Sequence, residues 1–162
     1  MNPADVVHAR ERICLLWACV ALFLLRVLGQ IEVLLVQPDW LPPMEAWYSG
    51  YLPYYILLPA QIVLLMVMAV LAAAETRHSW SAPKPWRRWV RVFAILYFLA
   101  MATRLIVQYA RGVPDIISAG GIPVAFHWVL ALFLYTLGRP AKAPAWHRST
   151  VYHRRQQIQK IV

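Results

Sequence analysis

Polar and charged side chains lie inside stretches of sequence that are otherwise apolar, and six of them could do chemistry. An arginine and a histidine at membrane depth could hold an anionic or carbonyl-bearing ligand, such as a quinone or a lipid headgroup. Two glutamines would then serve as hydrogen-bond donors, and a glutamate as a proton partner. The candidate ligand-binding residues are Arg26, Glu32, Gln61, Arg104, Gln108 and His127.

The same six residues also have an interpretation without a ligand. A charged side chain near the centre of a bilayer costs at least ~2.5 kcal/mol, so it must face a bundle interior, pair with another polar group or border water. Arginines closer to the surface extend to the lipid headgroups, and glutamines join neighbouring helices. The sequence leaves both interpretations open. For Glu32, it predicts pairing with Arg104 or His127 from a neighbouring span.

No established catalytic or metal-binding pattern accompanies these residues. The chain has two cysteines and no CxxC, P-loop, GxGxxG, HExxH or GxSxG motif. His127 is the one histidine inside an apolar stretch, so a haem with two histidine ligands cannot be built within this chain. We therefore predict no catalytic residue, no metal ligand and no resident cofactor, with a quinone or a lipid as the possible ligand.

Four long apolar stretches carry these residues. Hydrophobic residues make up 61% of the 162 residues and charged residues 14%, whereas apolar residues are about half of an ordinary soluble domain. Each stretch is long enough to cross a hydrocarbon core of about 30 Å as a helix. The sequence predicts an all-α polytopic membrane protein, a four-helix bundle within residues 1–138 with spans at residues 13–36, 54–74, 89–110 and 122–138.

The basic residues predict how the bundle is oriented. Thirteen of the sixteen Lys and Arg lie before the first span, around the connection between the second and third, and in a basic tail at residues 139–162. Because cytoplasmic loops carry an excess of Lys and Arg, both termini are predicted to be cytoplasmic, and short loops suit a bacterial inner membrane. All six candidate residues then fall in the outer half of the bilayer. This topology, with anionic lipid headgroups beside the basic segments, explains the net charge of +9 without a nucleic-acid partner.

Two functions are compatible with these features. One is an accessory, assembly or stabilising subunit of a larger membrane complex, bound to another membrane protein or to a second copy. The absence of catalytic motifs and the eight tryptophans favour it. The other is a binder, transporter or redox enzyme for a quinone- or lipid-like ligand held in an outer-half polar pocket.

Overall fold

The structure, a computed structural model, describes residues 3–42, 47, 54–77, 83–112 and 120–139. Within these residues the chain forms four α-helices joined by turns and irregular segments, and all four helices are long and apolar enough to cross a membrane. The prediction of an all-helical protein with four membrane-spanning helices is therefore confirmed. The predicted tail lies outside the described residues, apart from Arg139. The helices are α1 (Pro3–Leu35), α2 (Tyr54–Thr76), α3 (Lys84–Ala110) and α4 (Gly121–Gly138).

Helix α1 begins ten residues before the predicted span, at Pro3 rather than at residue 13. A proline fits the first turn of a helix because its missing N–H has no partner there in any case. The polar residues that follow contain no helix breaker, so the helix runs from them directly into the apolar stretch. Arg12 thereby becomes part of a helix instead of a loop.

The helices pack in the order α2, α1, α4, α3. Helix α1 contacts both α2 and α4, and α3 contacts α4, whereas no packing joins α2 to α3 within the described residues. Side chains of α1 fill the centre, at the three- and four-residue spacing of one helix face. The buried core consists of Leu16, Cys19, Val20, Phe23, Val27, Met68, Ala72, Phe133 and Leu137. The bundle is therefore an open row, with a groove on the side where α2 and α3 do not meet.

A buried ion pair holds three helices together at the end of the bundle where α1 begins. We call this end the basic end. Arg12 Nη2 lies 2.9 Å from Glu75 Oε1 in α2, and the two residues are only 8% and 6% exposed. Arg12 Nε and Nη2 also donate to the carbonyl oxygens of Thr136 and Leu137, at 3.2 and 3.1 Å. The last carbonyls of a helix lack intrahelical donors, so Arg12 caps α4 while it neutralises Glu75.

Helices α3 and α4 approach each other closely at the same end. Arg87 Nη1 donates to the Arg139 carbonyl oxygen at 3.1 Å. A Cβ atom added at Gly138 would lie 2.9 Å from the Arg87 carbonyl oxygen and 2.6 Å from Arg91 Cγ. Glycine at this position therefore permits the close packing.

Candidate functional site

The groove between α2 and α3 contains a cavity of about 220 Å³ to which all four helices contribute. We call it the Arg26 groove. Its floor comes from α1, its walls from α2 on one side and from α3 and α4 on the other. Four of the described lining residues are polar: Arg26, Gln61, Tyr97 and His127. The rest of the lining is apolar and consists of Phe23, Leu57, Ala60, Leu64, Pro123, Phe126 and Leu130.

Arg26 brings a positive charge into the groove. Its side chain is 7% exposed, and its guanidinium carbon lies 5.1 Å from the centre of the Phe126 ring. Nη2 donates to the Trp47 carbonyl oxygen at 3.3 Å, but Nε is buried without a hydrogen-bond partner. Within the described part of the chain the ion pairs are Arg12–Glu75 and His8–Glu11. In the described part of the chain, the Arg26 charge is thus met by the Trp47 carbonyl oxygen and an aromatic face, and no carboxylate lies against it.

Gln61 lines the groove from α2 with an amide that makes no hydrogen bond. The residue is 5% exposed, and both Nε2 and Oε1 are buried without a partner. Leaving such a group unsatisfied costs about 1 to 3 kcal/mol. A buried polar group without a partner calls for an explanation, and Gln61 is one of the residues that line the cavity.

Tyr97 and His127 form a hydrogen-bonded pair on the opposite wall. The Tyr97 hydroxyl oxygen and His127 Nδ1 are 2.5 Å apart, and the rings meet edge to face with centroids 5.6 Å apart. The tautomer of the imidazole decides which group donates. When Tyr97 donates to Nδ1, the ring hydrogen is on Nε2, and His127 has a donor for a ligand. The pair thus fixes the orientation of both rings.

Trp47, from the α1–α2 connection, covers the α1 side of the site. Its carbonyl oxygen accepts hydrogen bonds from Arg26 Nη2 and from Gln30 Nε2, the latter at 3.2 Å. Its indole N–H donates to the Pro42 carbonyl oxygen at 2.9 Å. The ring is buried against Gly29, where an added Cβ would lie 2.9 Å from Trp47 Cη2. Trp47 therefore holds the Arg26 guanidinium in place through a main-chain oxygen.

Three of the six candidate residues line the groove: Arg26, Gln61 and His127. Glu32 is six residues beyond Arg26 on α1, which turns it about 120° away from the groove. Its carboxylate forms no ion pair with Arg104 or His127 within the described residues. Arg104 and Gln108 are half-buried on α3, two and three turns past Tyr97, and neither is among the residues that line the cavity.

The structure adds two residues to the site that were not among the candidates, Tyr97 and Gln30. Helical spacing places each of them on the same helix face as a candidate residue. Gln30 is one turn past Arg26, and Tyr97 is two turns before Arg104, in each case on the same helix face. A tyrosine is common in a membrane span, however, and nothing in the sequence shows that Tyr97 meets His127.

The described residues contain no group of three or more His, Cys, Asp or Glu side chains that could hold a metal ion. No protein-family model, curated protein or solved structure matches this chain. The chemistry of the Arg26 groove is therefore the basis for proposing a function.

We expect Gly29→Ala to displace the Trp47 ring, because the added methyl group would overlap the indole edge. The observable is the ¹⁹F NMR resonance of Trp47 in 5-fluorotryptophan-labelled protein, assigned with Trp47→Phe. Gly29→Ala should shift or broaden this resonance, whereas Leu28→Ala, an exposed neighbour on α1, should leave it in place. An unchanged resonance in Gly29→Ala would show that Trp47 does not pack on Gly29.

Proposed function

We propose that this integral membrane protein binds the polar head of an amphiphilic, lipid-phase ligand in the Arg26 groove. The observation that supports the proposal is that three buried polar atoms of described residues lining this groove have no partner: Arg26 Nε and both amide atoms of Gln61. Packing alone does not account for them, because a helix bundle in lipid gains nothing from polar groups that bond to nothing.

The size and position of the cavity favour a head group over a whole ligand. A volume of about 220 Å³ is below the ~300 to 1,000 Å³ typical of sites that enclose drug-sized molecules. Because α2 and α3 do not pack together, the groove opens sideways between two lipid-facing helices. The apolar lining residues Leu57, Leu64 and Leu130 suit the start of a hydrocarbon tail that continues into the bilayer. Quinones and lipids both have this form.

Gln61→Leu tests the proposal against a matched substitution, Gln108→Leu, on a glutamine that does not line the cavity. Native mass spectrometry of the protein released from nanodiscs measures the ligand that stays bound. Wild type and Gln108→Leu should retain the same small molecule, and Gln61→Leu should bind it about tenfold more weakly, the effect of losing roughly one buried hydrogen bond. Equal retention by both variants, or none by wild type, contradicts the proposal.

A second function, as a subunit of a larger membrane complex, is favoured by a different surface. An apolar groove of about 450 Å³ runs along the lipid-facing side of α3 and α4 and includes Phe98, Ala125 and Trp128. The Trp128 indole N–H is buried there without an acceptor. Acyl chains offer no hydrogen-bond acceptor. A partner helix with small residues at its interface offers acceptor oxygens, and the small Ala125 side chain permits the backbone of that helix to approach.

We expect Ala125→Leu to remove such a partner, whereas Ala100→Leu, on an exposed position of α3 outside this groove, should not. Blue native electrophoresis of gently solubilised membranes reports the assembly. A discrete complex larger than the monomer should be present in wild type and in Ala100→Leu and absent in Ala125→Leu. The same complex in all three proteins would exclude this groove as the docking surface.

We propose further that the basic end faces the cytoplasm of a bacterial inner membrane. Arg10, Arg77, Arg88 and Arg139 lie at that end, against Arg111 at the other, and this imbalance favours a cytoplasmic basic end. Alkaline phosphatase should be active when fused after Gly112, and green fluorescent protein should fluoresce when fused after Arg77. The reciprocal fusions are the controls, and the reverse pattern would place the Arg26 groove in the inner leaflet.

A further inference from the structure

We infer that the head group in the Arg26 groove carries one negative charge and at least one hydroxyl group, as in a phosphodiester lipid with a polyol head. The inference rests on the proposed function, because it names the class of ligand that the same site would take. It comes from two properties of the lining that are independent of each other, its net charge and its balance of hydrogen-bond donors and acceptors.

The charge of the lining points to an anion. Among the described residues that line the cavity, Arg26 is the one Lys, Arg, Asp or Glu. Its guanidinium is buried, and it takes no part in the ion pairs of the described residues. A buried charge is stable in an apolar environment when an opposite charge accompanies it. A single negative charge balances the site, whereas a neutral quinone leaves the guanidinium unpaired.

The unsatisfied atoms point to a head that donates as well as accepts. Arg26 Nε and Gln61 Nε2 are donors, and Gln61 Oε1 is an acceptor. Gln30 Oε1 is a further buried acceptor without a partner, one helical turn from Arg26 but outside the cavity lining. Exchanging the amide oxygen and nitrogen of Gln61 leaves this count unchanged, and the orientation of Gln30 is fixed because its Nε2 donates to the Trp47 carbonyl oxygen. An ionised carboxylate and a quinone offer acceptors only, but a phosphodiester with hydroxyl groups offers an anion and donors together.

The experiment compares four probes by native mass spectrometry of the full-length protein in detergent. Phosphatidylglycerol has the anion and the hydroxyls, and phosphatidylmethanol has the same anion without hydroxyls. Phosphatidylcholine has no net charge, and decylubiquinone is neutral, with hydrogen-bond acceptors and no donor. Because the two anionic lipids have equal charge, nonspecific attraction to basic residues cancels between them. Wild type should bind phosphatidylglycerol about tenfold more tightly than each of the other three, as expected for one further buried hydrogen bond or ion pair.

Two variants assign the preference to the groove. Gln61→Leu should remove the difference between phosphatidylglycerol and phosphatidylmethanol, and Arg26→Gln should remove the preference for anionic lipids over phosphatidylcholine. Gln108→Leu and Arg111→Gln carry the same chemical changes outside the lining and should behave as wild type. Since Arg26 also bonds to Trp47, Gln61→Leu keeps the test decisive if Arg26→Gln fails to fold.

The remaining outcomes are distinguishable. Equal binding of phosphatidylglycerol and phosphatidylmethanol by wild type overturns the inference. Tighter binding of decylubiquinone that Gln61→Leu weakens also overturns it, but leaves the proposed function standing. If Gln61→Leu alters the binding of none of the four probes, the inference is wrong. The ligand retained from nanodiscs then decides whether the proposed function is wrong as well.

Discussion

Arg12→Met should lower the free energy of unfolding by about 3 kcal/mol or more, because it leaves the Glu75 carboxylate buried without its counter-ion. The substitution also removes the donors to the Thr136 and Leu137 carbonyl oxygens at the end of α4. Titration with sodium dodecyl sulfate in mixed micelles, followed by circular dichroism, measures the change. Arg10→Met is the control, since Arg10 is exposed two residues away on α1, and it should stay within about 0.5 kcal/mol of wild type.

The two roles of Arg12 can be separated with a double-mutant cycle. Arg12→Met combined with Glu75→Met removes both charges, so it should be less destabilising than Arg12→Met alone. Exchanging the residues, with Arg12→Glu and Glu75→Arg together, restores opposite charges but places a carboxylate against the carbonyl oxygens of α4. We expect this exchange to remain destabilised. Recovery to wild-type stability would show that Arg12 acts only through its charge.

Gly138→Ala should also destabilise the protein, although alanine is the better helix former. An added Cβ would lie 2.9 Å from the Arg87 carbonyl oxygen and 3.2 Å from the Arg91 amide nitrogen. Both are main-chain atoms of α3, so the helices must separate to make room. Overpacking of this kind costs about 1 to 3 kcal/mol, and the gain in helix propensity returns at most ~1 kcal/mol. We expect a net loss of about 1 to 2 kcal/mol in the same detergent titration.

Gly29→Ala is the matched control for Gly138→Ala, because it makes the same change on another helix. The atoms nearest to its added Cβ belong to the Trp47 side chain, and a ring can tilt where a main chain cannot. Gly29→Ala should therefore lose less stability than Gly138→Ala. Gly138→Leu should lower the free energy of unfolding more than Gly138→Ala does. A Gly138→Ala protein as stable as wild type would contradict the close contact between α3 and α4.

Among the described residues, the polar side-chain contacts between α2 and α1 lie at the basic end, away from the groove. There, Glu75 pairs with Arg12, and the Thr76 hydroxyl accepts a hydrogen bond from the Trp17 indole at 3.1 Å. At the groove, the Gln61 amide makes no bond at all. The polar contacts therefore secure α2 at one end and leave polar groups available at the other, where the proposed head group would bind.

The number and approximate limits of the helices followed from the sequence, because a membrane span must be helical and apolar over some twenty residues. The sequence also placed Arg26, Gln61 and His127 among the candidate residues, since a polar side chain within the bilayer costs free energy unless it has a partner. Helical periodicity further showed that Gln30 shares a face with Arg26.

The tertiary structure alone decided which of these faces meet. Hydropathy does not determine which spans are neighbours in a bilayer. Lipid tails are as apolar as the helices, so an apolar helix face can pack against lipid or against another helix. The order α2, α1, α4, α3 separates Glu32 from Arg104 and brings Tyr97 to His127. It also gives Arg12 a structural role, since its partners at Thr136 and Leu137 are more than a hundred residues away in the chain. Positive charge near a helix end predicts the orientation of the helix in the membrane. A buried ion pair cannot be predicted in this way, because the fold decides which residues become neighbours.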